Sequence, residues 1–184
     1  MKFITQTIPD VLLIEPVIHS DERGYFVETF KQKLLDEALG YQVNFIQDNE
    51  SKSTSKGVLR GLHYQSPPYT QRKLVRVIKG EVLDVAVDIR RNSSSFGKHV
   101  SVELSEKNKK QLFVPKGFAH GFIVLSEGAI FAYKVDAYYS AEHEEGIAYN
   151  DKDIDIDWHF LEKEIILSKA DQNYPSLANN KKLF

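Results

Sequence analysis

The most informative segment is Lys73–Ile89, KLVRVIKGEVLDVAVDI, in which β-branched residues dominate on both sides of Gly80 and Glu81. Apolar and polar residues alternate through its first half, and apolar residues recur at every second position through its second half. A period of two is typical of strands with one buried face, and a Gly-Glu pair between two such runs fits a turn. The segment therefore predicts a β-hairpin of two half-buried strands.

Further short strands follow this segment at regular intervals. Alternation or short apolar runs predict strands over residues 100–104, 112–114, 121–125 and 129–135. Polar or glycine-containing stretches separate them, with the turn Ser105–Lys110 as an example. Many short strands with turns between them indicate an all-β sandwich or barrel.

Only two segments have a helical pattern. Phe30–Leu39 places Phe30, Leu34, Leu35 and Ala38 on one face, with Thr29 as the expected N-cap and Gly40 as the expected stop. A weaker candidate covers Asp157–Glu164. We therefore expect helices only at the periphery of a sheet fold.

Composition limits the class of protein. A length of 184 residues predicts a single domain over residues 1–184, because domains average roughly 150 residues. The chain has no cysteine, which excludes disulfides, a thiolate nucleophile and cysteine zinc ligands. The formal net charge is −2, which argues against a bulk electrostatic binder of nucleic acid or membrane. The apolar run Val11–Ile14 is too short for a signal-peptide core or a membrane span, so we expect a cytoplasmic protein.

Two of the six histidines lie in distinctive surroundings. His63 lies in GVLRGLHYQ, residues 57–65, and His120 lies in PKGFAHGF, residues 115–122. A strand-borne histidine followed later by Pro-x-Gly-x-x-His is similar to the paired motifs of the cupin superfamily, whose members are double-sheet jelly rolls.

A finer resemblance runs through the chain from about Asp21 to Asp171. It is carried by RGYFVE at 23–28, QDNES at 47–51, the two histidine motifs, KLVRV at 73–77, DVAVDIR at 84–90, and Tyr133-Lys134, Tyr138-Tyr139 and Asp153–Trp158. Together these motifs resemble the dTDP-4-dehydrorhamnose 3,5-epimerase family, a metal-free branch of the cupins. The resemblance implies an all-β, cupin-type double-sheet jelly roll with a few short peripheral helices, and a C-terminal segment of about 155–184 that is helical or irregular.

A metal site is not expected in this chain. Metal cupins draw His-x-His and a Glu from the first motif, whereas Tyr64 and Gln65 follow His63 and residues 66–72 contain no Glu. Two histidines without a carboxylate make a poor metal site. We therefore predict neither metal nor cofactor.

The resemblance implies inversion of C3 and C5 in dTDP-4-dehydro-6-deoxy-D-glucose to give dTDP-4-dehydro-L-rhamnose, on the route to dTDP-L-rhamnose. By the resemblance, His63 is the base, Asp171 orients it, Lys73 stabilises the enolate and Tyr133 is the acid. An imidazole suits the base because its ordinary pKa is about 6.5. Judged from the residues alone, Lys73 is better explained as a solvated lysine at a strand end and Tyr133 as a packing residue. Asp171 is equally a turn or capping residue.

The resemblance also implies the residues that bind the nucleotide sugar. They are Arg23, Phe26, Glu28, Gln47, Asp48, Asn49, Arg60, Lys73, His120, Glu144 and Lys169. Arginine forks suit the diphosphate, since they bind phosphate oxygens bidentately. In a homodimer, Arg23 and Glu28 are expected to cross to the partner's site, and the N-terminal strands, about residues 1–30, to pack on the partner subunit.

Three alternatives remain open from the sequence. The chain could epimerise only C3 or only C5 of a related dTDP-4-keto sugar, or it could be a ketoisomerase on such a sugar. Outside enzymes, it could be a jelly roll that binds a sugar nucleotide without turnover. His63, Lys73 and Tyr133 occurring together argue against the pure binder.

Overall fold

The computed structural model describes all 184 residues and consists mainly of antiparallel strands. The strands are β1 (Lys2–Thr5), β2 (Leu12–Glu15), β3 (Ile18–Asp21), β4 (Gly24–Val27), β5 (Gln47–Ser53), β6 (Leu59–Gln65), β7 (Lys73–Lys79), β8 (Glu81–Asp88), β9 (His99–Ser105), β10 (Gln111–Val114), β11 (Phe118–Val124), β12 (Ala129–Val135) and β13 (Glu144–Gly146). One α-helix, α1, covers Gln32–Leu39, and 3₁₀ turns cover Ala141–His143, Glu162–Glu164 and Asp171–Asn173. None of these helices has the length and apolar character needed to cross a bilayer.

The strands form two facing sheets and one separate hairpin. The six-stranded sheet has the order β1-β2-β10-β7-β12-β5, and the five-stranded sheet has the order β13-β6-β11-β8-β9. Strands β3 and β4 pair only with each other. From β6 onward most consecutive strands lie in opposite sheets, which is the topology of a jelly roll. The predicted cupin-type double-sheet jelly roll with a few short peripheral helices is confirmed.

The main core lies between the two sheets. Val75, Val77 and Phe131 from the six-stranded sheet pack against Val82 and Phe122 from the five-stranded sheet, and all five are at most 5% exposed. Phe122 and Phe131 stack with ring centroids 4.2 Å apart. This apolar filling occupies one part of the space between the sheets and leaves room for polar side chains in the rest.

A second apolar layer covers the outer face of the five-stranded sheet. Val85 and Val87 of β8 contribute to a buried cluster with Ile147, Trp158 and Leu177 from the C-terminal half of the chain. The Trp158 indole N–H donates to the Tyr149 carbonyl at 2.8 Å, which satisfies its one polar group. The C-terminal segment therefore completes the core although it contains little regular structure.

The hairpin predicted over Lys73–Ile89 is wrong, although both of its strands exist. Strand β7 pairs with β10 and β12, whereas β8 pairs with β9 and β11 in the other sheet. The chain crosses between the sheets at Gly80, whose φ is 81° and where a Cβ would lie 2.2 Å from the Gly128 carbonyl oxygen. Strand β8 is almost wholly buried rather than half-buried, because both of its faces are covered.

The other strand predictions are confirmed with small changes of boundary, the largest being that β11 begins at Phe118. Helix α1 begins at Gln32 rather than Phe30, with Lys31 and not Thr29 at its N-cap position. Instead, the Thr29 carbonyl accepts a hydrogen bond from Gln111. Gly40 ends the helix in the left-handed conformation, as predicted.

The helix predicted over Asp157–Glu164 is wrong except for one 3₁₀ turn at Glu162–Glu164. Asp155 and His159 have φ values of 52° and 62°, which are incompatible with a continuous helix through this region. Apolar contacts to the sheet hold the segment instead: Trp158 is buried and Phe160 packs against the same cluster.

Candidate active site

A cavity of about 330 Å³ opens between the two sheets where the apolar core ends. Strands of both sheets and the segment after Leu167 line it. Its lining residues are Ser51, Arg60, His63, Lys73, His120, Phe122, Phe131, Tyr133, Glu144, Ser168, Ala170, Asp171 and Tyr174. This volume lies within the range of small-molecule sites.

The structure brings seven of the predicted site residues to this cavity: Arg60, His63, Lys73, His120, Tyr133, Glu144 and Asp171. His63 and His120 lie on neighbouring strands of the five-stranded sheet and are register partners. Lys73 and Tyr133 lie on neighbouring strands of the six-stranded sheet. A ligand between the sheets would therefore have His63 on one side and Tyr133 on the other.

His63 is held by Asp171, a residue 108 positions away in sequence. The Nε2 atom of His63 lies 2.5 Å from Asp171 Oδ1, and the Ser168 hydroxyl donates to Asp171 Oδ2 at 2.7 Å. Burial acts to raise the pKa of Asp171, but the hydrogen bonds from His63 and Ser168 outweigh it and lower that pKa below its usual value. Because the ionised carboxylate only accepts, the proton lies on Nε2 and the Nδ1 lone pair is left for the cavity.

Lys73 begins strand β7 and places its ammonium group inside the cavity. Burial lowers its pKa to about 8, while the charges of Asp84 and Glu144 partly oppose that effect. The group is therefore largely cationic at neutral pH. A charge that is partly removed from water interacts strongly with developing negative charge on a ligand.

Tyr133 lies on β12, in the wall opposite His63. Burial, with a further contribution from Glu144, raises the pKa of its hydroxyl above the ordinary value of 10.0. The phenol is therefore protonated at neutral pH and can donate a proton. Glu144 in turn accepts a hydrogen bond from the Tyr139 hydroxyl at 2.6 Å at the cavity mouth.

His120 is also held by an aspartate. Its Nε2 lies 3.0 Å from both carboxylate oxygens of Asp84, whose side chain is fully buried. Two histidines on adjacent strands thus line one wall of the cavity, and each is paired with an aspartate.

The predicted nucleotide-side residues on β5 divide between the two faces of the six-stranded sheet. The Gln47 amide donates to Asn49 Oδ1 at 2.8 Å, and Asn49 is the register partner of Tyr133. Asp48 points away and forms an ion pair with Lys134 at 2.8 Å. Arg60 bridges to β5 through Ser53 Oγ and a backbone carbonyl.

Seven predicted binding residues do not line this cavity: Gln47, Asp48 and Asn49 on β5, and Arg23, Phe26, Glu28 and Lys169. Arg23 and Phe26 lie on the separate hairpin, where the Arg23 side chain is 85% exposed and pairs with Asp21. Glu28 follows that hairpin and lies 3.6 Å from Lys31. Lys169 is exposed beside the lining residues Ser168 and Ala170.

Sequence reasoning missed Asp84 and Tyr174 as site residues. Asp84 is the first residue of DVAVDIR, one of the motifs that carry the family resemblance, but no role was predicted for it. Tyr174 lies three residues beyond Asp171; its ring meets that of His63 edge-on with centroids 5.6 Å apart, and burial raises its pKa to about 12. No motif points to Tyr174, because its contact with His63 depends on how the C-terminal segment folds back.

The side chains of the cavity do not fit a metal ion. No group of three or more His, Cys, Asp or Glu side chains is arranged to hold one. Each of the two imidazoles is engaged with an aspartate through Nε2. The arrangement of a held imidazole, a half-buried ammonium group and a protonated phenol instead suits proton transfer at a carbon next to a carbonyl.

Comparison with known proteins gives the family. A sequence model described as dTDP-4-dehydrorhamnose 3,5-epimerase matches residues 5–179. A dTDP-4-dehydrorhamnose 3,5-epimerase of Shigella flexneri is 59% identical over 158 residues, covering 86% of this chain and 87% of its own.

Two solved structures are similar over nearly their whole length. The enzyme of that name from Elizabethkingia anophelis superposes with a TM-score of 0.93 at 49% identity, covering 99% of this chain and 98% of its own. A dTDP-6-deoxy-D-glucose-3,5-epimerase from Legionella pneumophila, in complex with dTDP-4-keto-L-rhamnose, gives 0.92 at 51% identity, covering 97% and 93%. The fold, the cavity and these matches agree, and the chain belongs to the dTDP-4-dehydrorhamnose 3,5-epimerase family.

Proposed function

We propose that the chain is a single-domain epimerase that converts dTDP-4-dehydro-6-deoxy-D-glucose to dTDP-4-dehydro-L-rhamnose in dTDP-L-rhamnose biosynthesis, using neither metal nor cofactor. The observation that carries the proposal is that His63, held by Asp171, faces Tyr133 across one cavity that also contains Lys73. Family membership supports the same substrate, since a relative binds dTDP-4-keto-L-rhamnose.

Each inversion begins with removal of a proton from the carbon next to the C4 carbonyl. The Nδ1 lone pair of His63 takes the proton, and the electron pair of the broken C–H bond moves into an enolate with its charge on the C4 oxygen. Asp171 stabilises the imidazolium that forms, through its contact with Nε2. The Lys73 ammonium stabilises the enolate oxygen more than the ketone oxygen, which lowers the barrier.

The inversion ends when Tyr133 delivers its hydroxyl proton to the opposite face of the carbon. Tyr133 then regains a proton from solvent and His63 loses one to solvent, so the net change is configuration alone. C3 and C5 both flank C4, so one base and one enolate stabiliser serve both carbons if the sugar ring flips between the steps.

Product analysis tests the proposal against its alternatives. Proton NMR of the substrate with the protein is expected to show one product with both C3 and C5 inverted. Inversion at a single carbon would indicate a single-carbon epimerase, and a carbonyl moved from C4 to C3 would indicate a ketoisomerase. An unchanged substrate that still binds would indicate a binding protein, and each of these three outcomes contradicts the proposal.

We also propose that the protein is a homodimer in which Arg23, Phe26 and Glu28 reach the partner's cavity. The hairpin β3–β4 is paired with neither sheet of its own chain and exposes Phe26 (65%) and Tyr25 (58%). A lone two-stranded hairpin with exposed aromatic side chains is marginal in water and needs a partner surface. Strands β1 and β2 pair within the chain's own sheet, so the hairpin is the part of the N-terminal region free to cross.

Mixing two variants, one impaired and one inactive, tests this crossing. Arg23→Ala should lose at least about tenfold in activity, because charge-assisted hydrogen bonds to phosphate contribute about 1.5–3 kcal/mol. His63→Asn should be inactive for a different reason. After dissociation and reassociation of equal amounts, heterodimers with one intact composite site should restore about a quarter of wild-type activity. No recovery in a mixture shown to contain heterodimers would contradict the crossing.

The pKa of Lys73 predicts the pH above which activity falls. Only the ammonium form stabilises the enolate, and its pKa is about 8, so kcat/KM should fall as pH rises through about 8. Lys73→Gln should have low activity that does not fall further as pH rises through about 8. The matched control Lys79→Gln changes an exposed lysine on the same strand and should keep the fall of kcat/KM as pH rises through about 8. A wild-type profile flat up to pH 10 would contradict the role of Lys73.

A further inference from the structure

Asp84 is a fully buried carboxylate beside the cavity, and its hydrogen-bond partner, His120, lines the cavity. Its side chain has no exposed surface, and His120 Nε2 is its only hydrogen-bond donor. Its charge also acts on Lys73. A buried carboxylate is stable only when it is paired, so this residue is coupled to the groups that face the substrate.

A neighbour on the same strand shows what a structural carboxylate looks like here. Asp88 points to the same face of β8 and is equally buried, but it accepts from Arg90, Ser93 and Ser95 outside the cavity. Five side-chain and backbone donors satisfy Asp88 locally, whereas Asp84 depends on a single imidazole. Asp88 therefore stabilises the fold, whereas Asp84 orients a residue of the cavity.

The contact fixes how His120 presents itself to the cavity. Since a carboxylate only accepts, Nε2 carries the proton and Nδ1 has the lone pair. Nδ1 has no protein partner, yet no buried side-chain nitrogen or oxygen in the structure lacks one, so Nδ1 faces the open cavity. The ring is packed beside Phe131, with centroids 6.1 Å apart, which limits its rotation.

We propose that Asp84 is a positioning residue for this reaction: it fixes the His120 ring so that Nδ1 accepts a hydrogen bond from a sugar hydroxyl. The use of Nδ1 by a sugar hydroxyl rests on the proposed function. The tautomer and position of the His120 ring concern the free protein and stand independently of the reaction.

The variants Asp84→Asn and Asp84→Ala test this role, with Asp88→Asn as the matched control. Asn keeps an oxygen that can accept from His120 Nε2, so the proton of His120 should stay on Nε2. Ala removes the acceptor, so the two tautomers of His120 should both be populated. Asp88→Asn should lower thermal stability while leaving the tautomer of His120 unchanged.

The tautomer is read directly in the wild-type protein without substrate, by ¹⁵N-edited NMR of the His120 side chain. The proposal predicts a proton on Nε2 and a free Nδ1; a proton on Nδ1 alone would overturn it even if every variant failed to fold. A His120 tautomer in Asp84→Ala that matches wild type would also overturn it. Absence of turnover in wild type would refute the proposed function and leave the tautomer result standing.

Discussion

Replacing His63 by Asn is expected to lower kcat for epimerisation by about 10³-fold, the order of magnitude that a general base supplies. The amide of Asn is not a base at neutral pH, and its shorter side chain also gives up the contact that Nε2 makes with Asp171. What disappears is the Nδ1 lone pair that takes the proton from carbon. Binding of the nucleotide sugar should therefore change much less than kcat.

The measurement is the initial rate of epimerisation alongside the dissociation constant for dTDP, with His159→Asn as the control. His159 is exposed and lies outside the cavity, so its replacement should leave both values unchanged. A His63→Asn protein that is folded and keeps more than about a tenth of the wild-type rate would exclude His63 as the base, since a general base contributes at least about 10².

Replacing Tyr133 by Phe is expected to separate proton removal from inversion. Phe cannot donate a proton, so reprotonation from the Tyr133 side should fall by about 10²-fold or more. His63 and Lys73 are unaffected, so proton removal continues, and protons return from the side they left. Solvent deuterium should then enter the substrate although little product of inverted configuration forms.

The ratio of deuterium incorporation to inversion, measured by NMR, is the informative quantity. In wild type the two should proceed together, whereas in Tyr133→Phe incorporation should exceed inversion by an order of magnitude or more. Tyr149→Phe is the control, because its hydroxyl binds Glu162 outside the cavity. Equal loss of incorporation and inversion in Tyr133→Phe would show that Tyr133 acts before or during proton removal.

The strands of this fold could be predicted because their signal is local. Period-two alternation and β-branched residues located β7, β9 and β12 from the sequence. Which strands pair with each other could not be predicted. In the sequence, a glycine in a turn between two paired strands looks the same as a glycine where the chain crosses from one sheet to the other. Gly80 is the second kind, and only the position of Gly128 against it reveals this.

The burial of β8 and the start of α1 were mispredicted for a related reason. Residues 82–89 are covered on the far side by a C-terminal segment with no regular pattern, so nothing local indicated full burial. Thr29 resembles an N-cap, but its carbonyl is engaged by Gln111, 82 positions away in sequence. In both cases a distant contact outweighed the local preference.

The candidate site was predictable through its motifs and not through its contacts. Seven of the residues named from the sequence line one cavity. The contact of His63 with Asp171 was expected only from the family resemblance, because no spacing argument joins residues 108 positions apart. Asp84 and Tyr174 were missed because their importance lies in what they touch.

Deuterium incorporation in heavy water tests the central claim most directly, since proton removal at carbon is the step that the cavity is proposed to perform. With wild-type protein, NMR of dTDP-4-dehydro-6-deoxy-D-glucose should show solvent deuterium at both C3 and C5 of the product, with His63→Asn as the matched blank. Inverted product that carries no deuterium at either carbon, or no change at all, would contradict the account.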